Sequence, residues 1–358
     1  NGIVFALSKS GSAYQVLRSF STADGIGAQA GLIQGQDGRL YGTLYSGGPQ
    51  GGGVAYALET NGTAFTLIKA FAPNEGYGFS ASLTETSDGV LYAVATFGGA
   101  KNVGGIFRFL EDGSDFRILK GFTAQAGDAY NAVAPVIAAS DGKLYFTTPV
   151  GGAYAAGTLS KMSADGTGFG ILKSFSRTGT AATYGRGELT GTTDGLIFGV
   201  TQNGGEAGKG TVFRVQPNGA DYSIVHSFGV SANDSANPVA GVVQGQDGLL
   251  YGTARFGGAK NLGTVYRLTK DGTGYQVLHR FAGAPADGAE PQARMIEGRD
   301  GLLYGVTVAG GALGKGILFR LGREGSVYMV LRSFRGGNTD GAAPASALFQ
   351  ADDGLLYG

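Results

Sequence analysis

The heptapeptide QDGLLYG at residues 246–252 decides the fold, because close copies of it recur along the whole chain. Seven copies are present, at 36–42, 87–93, 140–146, 193–199, 246–252, 299–305 and 352–358. The first interval between them is 51 residues, and the other five are 53 residues. Such a period is typical of a propeller or a solenoid, in which each repeat buries its apolar faces against its neighbours.

Each repeat contains a second turn, which alternates with the first. In residues 240–281, Asp247-Gly248 joins an apolar run to LLYGTA, and Asp271-Gly272 joins TVYRL to YQVLHRF. Asp-Gly pairs favour tight hairpins because both central residues tolerate a positive φ. The β-branched and aromatic runs between these turns predict four short antiparallel strands per repeat, which we call A, B, C and D.

The two ends of the chain supply one repeat between them. Residues 2–20 have the pattern of strands C and D, and residues 345–358 have that of strands A and B. We therefore predict an all-β, seven-bladed β-propeller that forms a single domain over residues 1–358, with blade seven built from 345–358 plus 1–20. This closure removes the strand edges that an open solenoid, the alternative, would expose. Seven full repeats need about thirteen more residues than the chain has, and we expect these to be trimmed from the B–C loop of blade seven.

Composition excludes several classes of function. The 358 residues include 27 basic and 27 acidic residues without a basic block, which gives no support for binding of nucleic acid or of an anionic membrane surface. No apolar run approaches the roughly 18 residues of a membrane-spanning helix, so we expect no membrane insertion. Cysteine is absent, which excludes disulfides, a thiol nucleophile and thiolate metal sites. We expect a monomer without metal or cofactor.

The repeat resembles a known family. Its features are GTVFRV at 210–215, GVVQGQDGLLYGTA at 241–254, VLHRF at 277–281 and the Gly-Gly loop between strands B and C. Together they are similar to the GloVer tandem repeat, named from Gloeobacter and Verrucomicrobia, and the resemblance covers essentially the whole chain. It implies a β-propeller and a bacterial protein that is secreted or displayed at the cell surface. It implies no catalytic motif.

Two sets of carboxylates recur along the repeats. The turn aspartates, from Asp37 to Asp353, are expected to accept backbone hydrogen bonds in Asx-turns, because they lack the alternating ligands of a calcium loop. A second acidic position lies in the D–A loops, and six of the seven repeats have it: Asp24, Glu75, Asp128, Asp234, Asp287 and Asp340. We favour the interpretation that each carboxylate caps its own loop. The alternative is a ring that binds cations or sugar hydroxyls.

Function on a repeated scaffold is expected where the repeat is broken. The departures that precede strand A in blades four and six are Tyr184, Arg186, Glu188, Glu290, Gln292 and Arg294. Blades two and three add three aromatic residues, Tyr77, Phe79 and Tyr130. Because D–A and B–C loops share one face of a propeller, we expect a pocket for a polar ligand at the mouth of the central channel. The alternative is a solvated Arg–Glu pair without function.

The favoured function is a non-catalytic, extracytoplasmic module that binds a polysaccharide or a surface protein. The first alternative is a polysaccharide lyase or a glycoside hydrolase, whose catalytic residues would come from Tyr130, Tyr184, Glu188 and Glu290. The second alternative is a purely structural surface module. The two histidines, His226 and His279, fall in D strands, away from the expected pocket, which argues against many acid–base mechanisms.

Overall fold

The fold is a seven-bladed β-propeller built from four-stranded antiparallel sheets, as the repeat predicts. The computed structural model describes residues 2–337 and 340–358, and all regular structure within them is β-strand. Residue 1, which the prediction assigned to blade seven, lies outside the described residues. In the described part of the chain, no helix has the length and apolar character needed to cross a membrane.

The chain begins with β1 (Ile3–Leu7) and β2 (Tyr14–Ser19). Blade one follows with β3 (Ile33–Gln34), β4 (Leu40–Leu44), β5 (Val54–Leu58) and β6 (Thr66–Ala70). Blade two has β7 (Thr84–Glu85), β8 (Val90–Ala95), β9 (Gly105–Leu110) and β10 (Arg117–Gly121). Blade three and its loops have β11 (Ala129–Tyr130), β12 (Ile137–Ala138), β13 (Lys143–Thr148), β14 (Val150–Gly151), β15 (Thr158–Ser163) and β16 (Gly170–Ser174).

Blade four has β17 (Thr183–Gly185), β18 (Thr190–Gly191), β19 (Ile197–Asn203), β20 (Thr211–Val215) and β21 (Ser223–Ser227). Blade five and its loops have β22 (Ser235–Ala236), β23 (Val243–Gln244), β24 (Leu250–Ala254), β25 (Phe256–Gly257), β26 (Thr264–Leu268) and β27 (Gln276–Arg280). Blade six and its loops have β28 (Gly288–Ala289), β29 (Ile296–Glu297), β30 (Leu303–Thr307), β31 (Ala309–Gly310), β32 (Ile317–Leu321) and β33 (Met329–Ser333). The chain ends with β34 (Phe349–Gln350) and β35 (Leu356–Tyr357).

Blade seven combines the two ends of the chain, as predicted. Its strand order is β2-β1-β35-β34, so the first two strands complete the sheet that the last two begin. The backbone N–H of Phe5 donates to the carbonyl of Gly358 at 2.9 Å, and the N–H of Gly358 donates back to Phe5 at 3.2 Å. These hydrogen bonds satisfy backbone groups that would otherwise be an exposed edge.

The chain divides into two compact units. The first comprises the stretch that ends at Ala6, together with Gln15–Phe175 and Tyr357–Gly358. The second comprises Leu7–Tyr14 and Ser176–Leu356. Blades one to three lie in the first unit and blades four to six in the second. All the charged residues predicted for the site therefore belong to the second unit.

The cores lie between neighbouring blades. Within each unit, strands B and C are largely buried, because neighbouring blades pack on one another. In the second unit, Phe198 and Val212 of blade four pack with Leu250 and Tyr266 of blade five, and all four side chains are fully buried. Complete burial of such a side chain contributes about 1.5–3 kcal/mol to folding. The short apolar runs read from the sequence are thus fully buried strands.

The repeated turns hold neighbouring segments together. Asp247 accepts the backbone N–H of Leu249 at 3.1 Å and the hydroxyl of Tyr251 at 2.6 Å. The Asx-turn interpretation is therefore confirmed there, and the tyrosine hydroxyl is an additional donor. In the other turn, Gly272 has a φ of 87°, and a Cβ at this position would clash with the carbonyl oxygen of Val225 in the preceding blade. Glycine is required at that turn for its φ and for the close approach of two blades.

The D–A and B–C loops pair with one another, which places them on one face of each blade as predicted. In blade five, Ala236 pairs with Phe256, and in blade six, Ala289 pairs with Ala309. In blade four this loop pairing is continuous with the main sheet of the blade, because β19 is long enough to pair with both β17 and β18. This arrangement brings residues that precede strand A close to residues that follow strand B.

Candidate functional site

The recurring D–A carboxylates cap their own loops. Asp287 accepts the backbone N–H groups of Ala282 and Gly288, each at 2.7 Å. It also accepts the hydroxyl of Tyr328 and lies 3.1 Å from Nε2 of His279. The loop-capping interpretation is confirmed, since the same kind of backbone hydrogen bond is accepted by Asp24, Glu75, Asp128, Asp234 and Asp340.

Each capping carboxylate belongs to a larger contact that the sequence analysis missed. A basic side chain or histidine of strand D stacks on an aromatic ring of the next blade, close to the carboxylate. Six such contacts are present among the described residues: Arg18 on Phe65, Lys69 on Phe116, Lys120 on Phe169, His226 on Tyr275, His279 on Tyr328 and Arg332 on Tyr14. We call this group of carboxylate, strand-D side chain and aromatic ring the clamp. The two histidines are thus structural members of clamps.

Electrostatics at the clamp of Asp287 are set by hydrogen bonds. Burial alone would raise the pKa of this carboxyl group, but donation from His279, Tyr328 and two backbone N–H groups outweighs it and holds the pKa below its usual range. The carboxylate is therefore ionised and fully satisfied. Within residues 2–337 and 340–358, no group of three or more His, Cys, Asp or Glu side chains is arranged to hold a metal ion.

The departures from the repeat form two ion pairs in the second unit. Arg294 Nη1 lies 3.4 Å from Glu188 Oε2, and Arg294 Nε donates to the carbonyl of Val242 at 3.1 Å. The arginine belongs to blade six and the glutamate to blade four. The Arg294 side chain therefore extends across blade five, where it contacts Val242. Gly241 lets blade five approach blade four closely at this point, because a Cβ at that residue would clash with the backbone of Glu188.

The second ion pair contains a residue that sequence reasoning missed. Arg255, which follows strand β24, donates from Nε and Nη2 to a single oxygen of Glu290, Oε2, at 3.0 and 2.8 Å. The corresponding residues in other blades are uncharged: Tyr45, Thr96, Pro149, Gln202 and Val308. Arg255 is therefore a departure from the repeat at the end of a B strand, just as Glu290 and Arg294 are departures before an A strand.

Arg186 differs from the other two arginines because it has no acidic partner. Among the described residues it donates no hydrogen bond and forms no ion pair. Its side chain is exposed to solvent, yet enough protein surrounds it that burial, followed by repulsion from Arg255, lowers the pKa of the guanidinium. The guanidinium is therefore open to solvent on one side and has protein around it on the other. We call Arg186, Glu188, Arg255, Glu290 and Arg294 the arginine–glutamate cluster.

Two of the predicted residues occupy an unfavourable backbone conformation. Tyr184 has a φ of 58° and Glu290 a φ of 55°. The same loop position has a positive φ in every repeat, where the residues are Gly27, Gly78, Asn131, Tyr184, Asn237, Glu290 and Ala343. Glycine and asparagine tolerate this region, whereas tyrosine and glutamate cost about 1–2 kcal/mol there. Such strain concentrates at functional sites, where the side chain is kept despite its cost.

The remaining predicted residues have different surroundings. Gln292, which lies between Glu290 and Arg294 in the sequence, is half-buried. Tyr77 and Tyr130 lie in the first unit, where Tyr77 stacks on Phe97 at 5.3 Å and Tyr130 packs against an apolar core cluster. The expectation that Phe79 faces a pocket is wrong. Its ring is fully buried against Phe71, with 4.4 Å between the ring centroids, because this position is buried in most repeats.

The repeat itself identifies the family. The profile of the Gloeobacter/Verrucomicrobia repeat matches residues 1–205 and 184–358, which together span the chain. The chain belongs to this family. The resemblance read from the repeat motifs is therefore confirmed. No curated protein matches the chain.

Solved structures share the fold of this repeat protein. A puromycin hydrolase aligns with a TM-score of 0.60 at 14% identity, over 91% of this chain and 49% of that one. The GH74 enzyme of Niastella koreensis aligns with a TM-score of 0.55 at 13% identity, over 86% of this chain and 45% of that one. Identities this low show the β-propeller fold alone, and the chain spans about half of each of those proteins.

Proposed function

We propose that the protein is an extracytoplasmic binding module that recognises an anionic ligand, on a glycan or a surface partner, through the arginine–glutamate cluster. The observation that carries this proposal is the unpaired guanidinium of Arg186. An arginine surrounded by protein but left without a carboxylate has five N–H donors available. An anion bound there would gain charge-assisted hydrogen bonds, which are stronger than neutral ones.

The neighbouring groups support the same function. Arg255 and Arg294 are already paired with glutamates, and the charge of Arg255 acts on Arg186 directly. Their side chains are 34% and 28% exposed, so a ligand can reach them. The strained backbone at Tyr184 and Glu290 is also consistent with selection for binding, since Gly or Asn would fold there at lower cost.

An extracytoplasmic location is the second part of the proposal. It follows from the bacterial repeat family to which the chain belongs and is compatible with a cysteine-free chain. A glycan is the favoured ligand because the cluster combines cations with uncompensated carboxylate oxygens. These groups would recognise charged sugars and their hydroxyls.

The test is a binding titration that compares Arg186→Gln with wild type on a carboxylated, a sulfated and a neutral glycan. We expect Arg186→Gln to weaken binding of an anionic glycan by about 1.5–3 kcal/mol, which is tenfold or more. Arg299→Gln is the matched control, because Arg299 lies in an A–B turn, paired with Asp352, and its loss changes the net charge equally. The proposal is overturned if Arg186→Gln binds the anionic glycan as tightly as wild type does, or if both variants lose the same affinity.

One contact favours a second candidate function, a polysaccharide lyase. Arg177 Nη2 donates to the hydroxyl oxygen of Tyr184 at 2.7 Å, and its guanidinium lies 5.2 Å from the centre of the ring. A lyase could use a tyrosine as the base beside a cation that neutralises the uronate carboxylate. If this chemistry occurs, wild type releases unsaturated sugar that absorbs in the ultraviolet, and Tyr184→Phe does not. A flat absorbance trace with wild type removes this candidate and leaves the binding module.

A glycosidase is less compatible with the geometry. It requires one carboxylic acid that is free to donate a proton to the leaving oxygen. Glu188 and Glu290 are each engaged by an arginine, at 3.4 and 2.8 Å.

A further inference from the structure

We infer that the ligand presents one carboxylate among hydroxyl groups, as in a glycan with one uronate per disaccharide, and that a densely sulfated or phosphorylated chain is rejected. This inference rests on the proposed function and names the ligand class of that same site. It follows from which atoms of the arginine–glutamate cluster are satisfied and which are not.

The five charges of the cluster are linked in sequence and in space. Arg186 and Glu188 are two residues apart in the chain, and Glu188 pairs with Arg294. Glu290 is four residues before Arg294 and pairs with Arg255, whose charge in turn repels that of Arg186. The five residues therefore form a closed series that begins and ends at Arg186.

The balance of charge in the cluster matches a single anion. Three arginines and two glutamates leave one positive charge, and that charge is located on the arginine without a partner. A ligand with one negative charge neutralises the cluster. A chain with several sulfate or phosphate groups on neighbouring sugars would bring further negative charges close to two carboxylates that ion pairs hold in place, and like charges at short distances repel.

Arg186 fits a carboxylate geometrically. Its guanidinium is planar, and none of its N–H groups is used by the described residues. Two parallel N–H groups of an arginine match the two oxygens of a carboxylate. The ring hydroxyls of a uronate bound in this way would be directed to the two glutamates, one of which is two residues from Arg186 in the chain and the other of which pairs with Arg255.

Both glutamates have an oxygen left for hydroxyl groups. Glu290 uses Oε2 for both hydrogen bonds from Arg255, and Glu188 uses Oε2 for Arg294. Within the described residues, Oε1 of each accepts no hydrogen bond. Each side chain is partly exposed, 31% and 22% respectively, so a ligand can reach it. A carboxylate oxygen accepts a hydrogen bond from a sugar hydroxyl but repels a sulfate, which has no proton to donate.

The experiment compares three oligosaccharides of equal length: one with a glucuronate in each disaccharide, the same one with its carboxyl groups reduced to alcohols, and a densely sulfated one. Binding to wild type, Arg186→Gln and the double variant Glu188→Gln/Glu290→Gln is measured by calorimetry at about 0.15 M salt. Glu324→Gln is the matched control for loss of a carboxylate, since Glu324 is 69% exposed in a C–D turn. The melting temperature of each variant is measured first, and Glu290→Gln alone replaces the double variant if that one unfolds.

We expect wild type to bind the glucuronate oligosaccharide at least about tenfold more tightly than either of the others. The double variant should bind it less tightly and should bind the sulfated oligosaccharide more tightly than wild type does. Arg186-dependent binding of the sulfated chain at equal or higher affinity would overturn the inference while the proposed function stands. Equal binding of the carboxyl-reduced sugar, or no binding of any of the three, would overturn both.

Discussion

Asp287 and Glu290 lie three residues apart in one D–A loop, and their carboxylates have opposite surroundings. The side chain of Asp287 is 12% exposed and accepts hydrogen bonds from two backbone N–H groups and from Tyr328, with His279 beside it. The side chain of Glu290 is 31% exposed, is held by Arg255 through one oxygen and sits on a left-handed residue. The carboxylate of Asp287 has a full set of hydrogen-bond donors. The carboxylate of Glu290 has donors to one oxygen only, and its backbone conformation is unfavourable for glutamate.

This difference separates scaffold from site within a repeated fold. Positions that recur in most repeats, such as the D–A carboxylate, are surrounded by enough partners to fix the loop. Positions that depart from the repeat, such as Glu290, keep unused hydrogen-bonding capacity and carry a side chain that is unfavourable on the left-handed backbone shared by every repeat. The distinction predicts that changes at the two carboxylates affect different measurements.

The largest expected effect is the loss of stability in Asp287→Ala. Removing this carboxylate leaves the hydroxyl of Tyr328 and two backbone N–H groups without their acceptor in a buried setting. We expect a loss of about 3–5 kcal/mol in the free energy of unfolding, as for other buried networks that lose one member. Denaturant unfolding followed by circular dichroism measures it. Glu290→Ala should change the same quantity by at most about 1 kcal/mol, and equal losses in the two variants would contradict the distinction.

The sequence alone predicts the scaffold better than the site, for a physical reason. Turn residues such as Asp247-Gly248 act locally and recur seven times, so period and closure follow from them. The pairing of Glu290 with Arg255 joins residues 35 positions apart, and only the contact of a D–A loop with a B–C loop brings them together. The same limit explains the error at Phe79, which is an aromatic departure in sequence but occupies a position that is buried in most repeats.

The clamps also differ from one another, because two of them contain histidine where the others have lysine or arginine. Burial lowers the pKa of His226, although the carboxylates of Asp234 and Glu206 oppose this, and its Nε2 is buried without a hydrogen-bond partner among the described residues. The unfolded chain therefore binds a proton more readily at this residue. Stability is lost as pH falls through the unfolded histidine pKa of about 6.5.

We expect His226→Lys to remove this acid sensitivity, since lysine occupies the same position at Lys69 and Lys173 and does not titrate near neutrality. Between pH 7.5 and 5.5, values chosen to lie on either side of a pKa of about 6.5, stability of wild type should fall relative to that of the variant. The relative slope is at most about 1.4 kcal/mol per pH unit.

The comparison has to be between the two proteins, because another group contributes with the opposite sign. Burial, together with neighbouring Glu111, raises the pKa of Glu85 to about 7, which stabilises the fold as pH falls. Asp287 does not interfere, because its lowered pKa places its loss of stability well below this window. Parallel pH profiles of wild type and His226→Lys would show that the histidine clamp is not acid-sensitive.

The smallest expected effect is a gain of stability when strain in the site is relieved. Tyr184→Gly and Ala343→Gly change residues at the same loop position, with φ of 58° and 50°. Glycine removes the left-handed cost but increases the entropy of the unfolded chain, so each variant should gain no more than about 1 kcal/mol, measured by thermal unfolding. The two should differ in function, because Tyr184 adjoins Arg186 and Ala343 lies outside the arginine–glutamate cluster. Weaker binding of an anionic glycan in Tyr184→Gly, with unchanged binding in Ala343→Gly, would show that the strain is retained for the ligand. Unchanged binding in both, or a loss of stability in Tyr184→Gly, would mean that the tyrosine packs into the scaffold and that the boundary between scaffold and site lies closer to Arg186.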